Sequence, residues 1–100
     1  MIDVTLAHKA LAHPFRREVL RWLKSPDTSL PDAARLRSQH GVPLSSIVVR
    51  SGLSQSTVSA HIAVMREAGL IVATQVGQWL FVTRDETAIA TFIARIASEL

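Results

Sequence analysis

The chain has 100 residues, 48% of them hydrophobic and 19% charged, with a formal net charge of +3. A chain of that length buries roughly two-thirds of its unfolded surface, enough for one modest core over residues 1–100 and too little for a catalytic cleft between two large domains. It contains no cysteine, which excludes disulfides, thiolate metal sites and thiol redox sensing.

Residues 5–12 carry good helix formers with Leu6, Ala7, Ala10 and Leu11 on one stripe, which predicts a first helix. Pro14 ends it near His13 and opens a second. The residue before a proline is pushed out of the helical region, while proline itself suits the first helical position. In the second helix Phe15, Val19, Leu20, Trp22 and Leu23 mark a buried side, and Arg16, Arg17, Glu18, Arg21 and Lys24 a solvated one. Residues 25–43 hold Pro26, Pro31, Gly41 and Pro43. There Pro31 can open a short helix through Gln39, and a plain surface loop reads equally well.

Ser45 is a candidate N-cap for a helix that turns Ile47 and Val48 inward and stops at Gly52. Ser54 caps the next helix, 54–68, which Gly69 ends in the same way. Leu70 to Val76 and Trp79 to Thr83 read as strands joined by the two-residue turn Gly77-Gln78. Asp85 caps a last helix with Ile89, Phe92, Ile93, Ile96 and Leu100 on one stripe. The expected class is mainly α with a small β-hairpin: five helices plus a two-stranded wing. The helix-turn-helix covers about 45–68, the wing about 70–83 and the last helix about 85–100.

At about 100° per residue, Val58, Ile62 and Met65 of the helix after Ser54 share a narrow arc that must face the core. The opposite arc shows Ser56, Thr57, Ser59, Ala60 and Ala63, short and uncharged. Such a face fits a major groove about 12 Å wide, where hydroxyls and methyls touch base edges and thymine methyls. Gln55, at its margin, can pair with adenine or a phosphate. A helix pair joined by a short turn and followed at once by a hairpin is the winged variant of the helix-turn-helix. The stretch from Ala33 to Arg66 carries Arg35, Arg37, Arg50 and Arg66 and no carboxylate, so it can approach phosphates without repulsion.

Four stretches resemble the ArsR (arsenic-repressor type) winged-helix transcriptional regulators. They are Leu11-Ala12-His13-Pro14-Phe15-Arg16-Arg17-Glu18-Val19-Leu20, the run from Ser51 through Ser54-Gln55-Ser56-Thr57-Val58-Ser59 to Ile62, Met65-Arg66-Glu67-Ala68-Gly69-Leu70-Ile71, and Val76-Gly77-Gln78-Trp79. The resemblance implies a homodimer joined through its first and last helices, bound to a pseudo-palindromic double-stranded DNA operator and released by an effector, here unknown. Its two recognition helices would then lie roughly 34 Å apart in successive major grooves. On this reading the DNA-binding residues are Arg50, Ser54, Gln55, Ser56, Thr57, Ser59, Ala60, His61, Arg66, Gln75, Gly77 and Gln78. Those at the dimer interface are Leu6, Ala10, Ile89, Phe92, Ile93 and Ile96.

Two departures from the family limit what carries over. The familiar metal sites use cysteines, or Asp and His pairs on the last helix; neither is present, so no metal or other cofactor is expected. The wing reads Thr74-Gln75-Val76-Gly77-Gln78-Trp79 and supplies hydrogen bonds rather than charge, so phosphate binding falls to Arg50, Arg66, Arg84 or the 25–43 segment. His61 can brace the helix, contact DNA, or both. Trp79 can stack on the recognition helix as core or reach the DNA backbone through its indole N–H. The rival readings are a winged-helix protein-interaction module without DNA binding and a metal sensor with a non-standard His and carboxylate site that uses His40 and the 25–43 insertion. An enzyme is not expected, since no phosphate-binding glycine loop, acid pair or nucleophile with its base is present. The apolar runs fall far short of the ~20 residues of a membrane span. Asp3 stands where a secretion signal would carry basic residues, so the expected location is the cytoplasm.

Overall fold

The computed structural model describes residues 2–100, the side chain of Ala34 excepted. Its elements in chain order are α1 (Val4–Leu11), α2 (Pro14–Lys24), α3 (Pro26–Ser29), α4 (Ala33–Leu36), β1 (Val42–Pro43), α5 (Leu44–Ser51), α6 (Gln55–Glu67), β2 (Ile71–Val76), β3 (Trp79–Arg84) and α7 (Glu86–Glu99). The five expected helices are all present, and the 25–43 segment adds two single turns, α3 and α4.

Caps set most of the boundaries. The Leu6 N–H donates to the Asp3 carboxylate at 3.0 Å to start α1, and the Phe15 N–H donates to His13 Nδ1 at 3.2 Å at the Pro14 corner. Asp85 starts α7 by accepting the Ala88 N–H at 2.9 Å. Where α6 ends, the Gly69 N–H reaches the Arg66 carbonyl and the Leu70 N–H the Met65 carbonyl, both at 3.0 Å. That paired closure needs a left-handed residue, and Gly69 has φ +83°.

The segment before α5 departs from expectation twice. Between the two readings open from Pro31 to Gln39, a short helix or a plain loop, the structure has the single turn α4, and Asp32 at φ +55° breaks any helix on its N-terminal side. Ser45 does not cap α5. It lies inside the helix, and Pro43, extended at φ −67° and ψ 144°, occupies the cap position without a side-chain bond. Pro43 is held there because it belongs to a strand. β1 pairs antiparallel with β3, Val42 opposite Val82 and Pro43 opposite Phe81. The sheet therefore has three strands in the order β1-β3-β2 rather than the expected two. The hairpin itself keeps the expected register, Val76 opposite Trp79 across Gly77-Gln78.

One core joins these elements. Ala7 and Ala10 of α1, Val19, Trp22 and Leu23 of α2, Ile47 of α5 and Val82 of β3 are buried around Val58, Ile62 and Met65 of α6. Leu30 and Ala33 tie the two single turns into it. From α7 only Phe92 is buried, with His8 edge-on to its ring at 5.2 Å, while Ile89 and Ile96 are half-buried. No helix among the described residues is long and apolar enough to cross a membrane.

Candidate functional site

The turn between α5 and α6 is built from short side chains. Gly52 caps α5 at φ +70°. Ser51 Oγ donates to the Val48 carbonyl at 2.9 Å and accepts the Leu53 N–H at 3.0 Å. Ser54 then accepts the Thr57 N–H at 3.2 Å, and its hydroxyl donates to Thr57 Oγ1 at 2.9 Å. This network fixes the first turn of α6. Ser54→Ala should cost about 1 kcal/mol, read as a lower urea midpoint. An unchanged midpoint would mean the cap adds nothing to the fold.

With Val58, Ile62 and Met65 buried, α6 presents Gln55, Ser56, Thr57, Ala60 and Ala63 to solvent, and Ser59 is half-exposed. These positions form one face that carries no charge until Arg66 and Glu67. Beside it stands the wing, with Gly77 and Gln78 exposed at its tip and the Gln75 amide donating to the Gly77 carbonyl at 2.9 Å. The Gln75 amide nitrogen thus braces the tip from within.

Several residues assigned to contact from sequence are engaged elsewhere. The Arg84 side chain is only 13% exposed, with Nε and Nη2 on the Glu86 carboxylate at 3.0 and 3.1 Å and Nη1 on the Leu20 carbonyl at 3.1 Å. Its charge is neutralised and its donors are used, so it is a strut between β3 and α2 and not a phosphate ligand. Arg50 remains solvent-accessible, but its guanidinium lies 4.9 Å from the Trp22 ring centre, drawn onto α2 by the cation–π attraction. Arg35 and Arg37 form ion pairs with Asp32 and Asp27, two acids just outside the stretch that had read as purely basic. Arg66, exposed in the last turn of α6, has no ion pair among the described residues.

His61 leaves the outer face. Half-buried, it accepts the Arg16 Nε–H on Nδ1 at 3.0 Å, with the His13 ring edge-on at 4.6 Å and the Phe15 ring at 5.0 Å. Arg16, expected on a solvated face, is thereby drawn to α6. Burial holds the His61 pKa below the usual imidazole range, and the nearby His13 and Arg16 push it the same way.

Trp79 is not core. It is 48% exposed and lies nearly parallel to Phe81, ring centres 6.2 Å apart, because residues two apart on a strand share a face. With Pro43, Leu44, Val48, Val49 and Leu80 it lines an open cleft of about 450 Å³ between α5 and the wing, rimmed by Ser45, Gln55 and Gln78. The sequence signal for that exposure was its place next to the turn. Among the described residues no three His, Asp or Glu side chains converge where a metal ion could sit.

The assigned interface residues also divide. Ala10 is fully buried and Phe92 is 8% exposed within the subunit, so both are spent on its own core. Leu6, Ile89 and Ile96 are half-buried, and Ile93 is 60% exposed on the outer side of α7.

Two helices meeting at a glycine-capped turn, the second with a bare outer face and a hairpin at its side, match what known regulators show. The family model described as "Bacterial regulatory protein, arsR family" matches residues 44–72, from the start of α5 into β2. Over 93 residues the chain is 33% identical to the uncharacterized HTH-type transcriptional regulator YbzH of Bacillus subtilis (strain 168), across 92% of this chain and 93% of that one. The chain belongs to the ArsR family. It is thus a winged helix-turn-helix transcriptional regulator that binds DNA, and its family and this relative are regulators rather than enzymes. A crystal structure of an ArsR family transcriptional regulator superposes with a TM-score of 0.70 at 17% identity, covering 99% of this chain and 92% of that one. A possible transcriptional regulator for arsenical resistance gives 0.66 at 21% identity over 90% of this chain and 79% of that one. An ArsR-like regulator from Rhodococcus sp. RHA1 gives 0.60 at 19% identity over 96% and 78%. At these identities the structures speak for the fold alone.

Proposed function

We propose that this ArsR-family protein is a homodimeric, cytoplasmic repressor whose α6 reads a pseudo-palindromic operator and whose release depends on an effector. The observation that carries the reading is the uncharged outer face of α6, exposed while the opposite face is locked in the core. Ser56, Thr57 and Ser59 offer hydroxyls to base edges, Gln55 an amide, and Ala60 a methyl small enough for close approach. Ser54 and Arg66 flank this face and meet the phosphates, while Gln75, Gly77 and Gln78 approach the sugar-phosphate edge beside the next groove.

Selection of bound sequences from a random duplex pool with the purified protein tests this directly. An inverted repeat with half-sites one helical turn apart supports it. Recovery of no sequence motif at low salt would sink it and favour a protein-interaction role.

The exposed Ile93, with half-buried Ile89 and Ile96 beside it, supports pairing of subunits through α7, with Leu6 of α1 alongside. Ile93→Asp places a charge on that surface without touching the subunit core. Sedimentation should show a shift from dimer to monomer with little change in helix content. If the variant sediments as wild type does, α7 is not the pairing surface.

A further inference from the structure

The corner between α1 and α2 is linked to α6 by side chains that the DNA face does not use. Two imidazoles there are committed as acceptors. His13 Nδ1 accepts the Phe15 N–H at 3.2 Å and His61 Nδ1 accepts the Arg16 Nε–H at 3.0 Å. An imidazole can accept on Nδ1 only when that nitrogen carries no proton, so the bond from Arg16 holds His61 as the neutral ring with its proton on Nε2. The rings meet edge to face at 4.6 Å. The titratable and charged groups acting on His61 are His13 from the α1–α2 turn and Arg16 from α2. The carboxylate of Glu18 on α2 is taken up by Arg21 and Trp22.

We infer that Arg16 is a positioning residue for DNA binding: through neutral His61 it holds α6 at the angle that presents its outer face, and protonation of His61 releases that hold. Adding a proton to Nδ1 sets an N–H against the Arg16 N–H and a second positive charge beside a guanidinium. The bond is then replaced by repulsion, and α6 loses its side-chain hydrogen bond to α2 while its opposite face stays in the core. His61 has a folded-state pKa below its unfolded value. Its contribution is therefore complete above the unfolded value of about 6.5 and is lost as the pH falls through the folded one. This inference rests on α6 being the DNA-reading helix.

The test is the affinity of the full chain for its selected operator between pH 7.5 and 5.5 at constant salt, for wild type, His61→Asn and His61→Leu. Asparagine keeps an acceptor near Nδ1 and cannot titrate; leucine removes the acceptor. Wild type should weaken by about fivefold or more on acidification, the scale of one orienting hydrogen bond. His61→Asn should match wild type at pH 7.5 and stay level, and His61→Leu should be weak throughout. A pH step of wild-type size in His61→Asn overturns the inference, as does His61→Asn binding as poorly as His61→Leu while folded. Should either variant fail to fold, the imidazole ¹⁵N spectrum of the wild type decides. An Nε2–H tautomer for His61 with a depressed titration supports the link, and an Nδ1–H tautomer overturns it. Wild type that binds no DNA at neutral pH would instead defeat the functional reading beneath.

Discussion

Gly41→Ala should destabilise the protein by about 3 kcal/mol or more, the range of severe backbone strain combined with a steric clash. Gly41 has φ +109°, and a Cβ placed there would lie 2.1 Å from the Val82 carbonyl oxygen, 2.6 Å from its carbon and 2.8 Å from Thr83 Cβ. Two of these atoms are backbone of β3, the middle strand, and cannot swing aside. Relief requires β1 to pull away, which uncouples Val42 from Val82, both buried. It also disturbs the paired bonds between Ser38 and Gly41 at 2.8 and 3.1 Å. The measurement is the urea midpoint, with Gly77→Ala for comparison. Gly77 also has positive φ, at +59°, but nothing lies within 4 Å of its added Cβ. It should lose only about 1 kcal/mol, the left-handed cost for an L-residue. Equal losses in the two variants would show that strain, not the approach to β3, governs Gly41.

Ala60→Glu should reduce operator affinity by about 100-fold or more, since juxtaposed like charges cost several kcal/mol, while leaving stability within about 0.5 kcal/mol. Ala60 lies in the middle of the exposed arc of α6, opposite Val58 and Ile62. A carboxylate there would face phosphates and the acceptor-rich edge of a base pair, and its length would lift the helix out of the groove. Fluorescence anisotropy with labelled operator gives the number. Ala60→Gln, equal in length and neutral, separates charge from bulk and should lose distinctly less. Wild-type affinity in Ala60→Glu would remove α6 from the DNA interface.

The helices were legible because their signals are local. Ser54 and Asp85 are caps whose partners lie three residues on, whereas Asp3, which caps α1 in the same way, was not read as one. Gly52 and Gly69 mark ends by needing left-handed backbone. The buried arc of α6 followed from a period of 3.6 residues alone. What escaped depends on distant partners. β1 is two residues long, too short for any alternation, and exists only because Val82 and Phe81 lie opposite. Arg84 read as a free cation because Glu86, two residues away, looked like ordinary helix-start acid and the Leu20 carbonyl is 64 residues distant in sequence. His61 was ambiguous from its angle, and its partner Arg16, 45 residues earlier, decides it. The Ala33–Arg66 charge reading failed for Arg35 and Arg37 because Asp32 and Asp27 fold back across the boundary.

The β1–β3 pairing also bears on how control could be exerted. β1 runs straight into α5 through Pro43, and β3 continues into the turn at Gly77-Gln78, so the first helix of the reading pair and the hairpin hang from one ladder. Neither can swing without breaking that ladder. The α5 helix and the hairpin are consequently set together like parts of one die, and a signal that shifts either of them must first part β1 from β3.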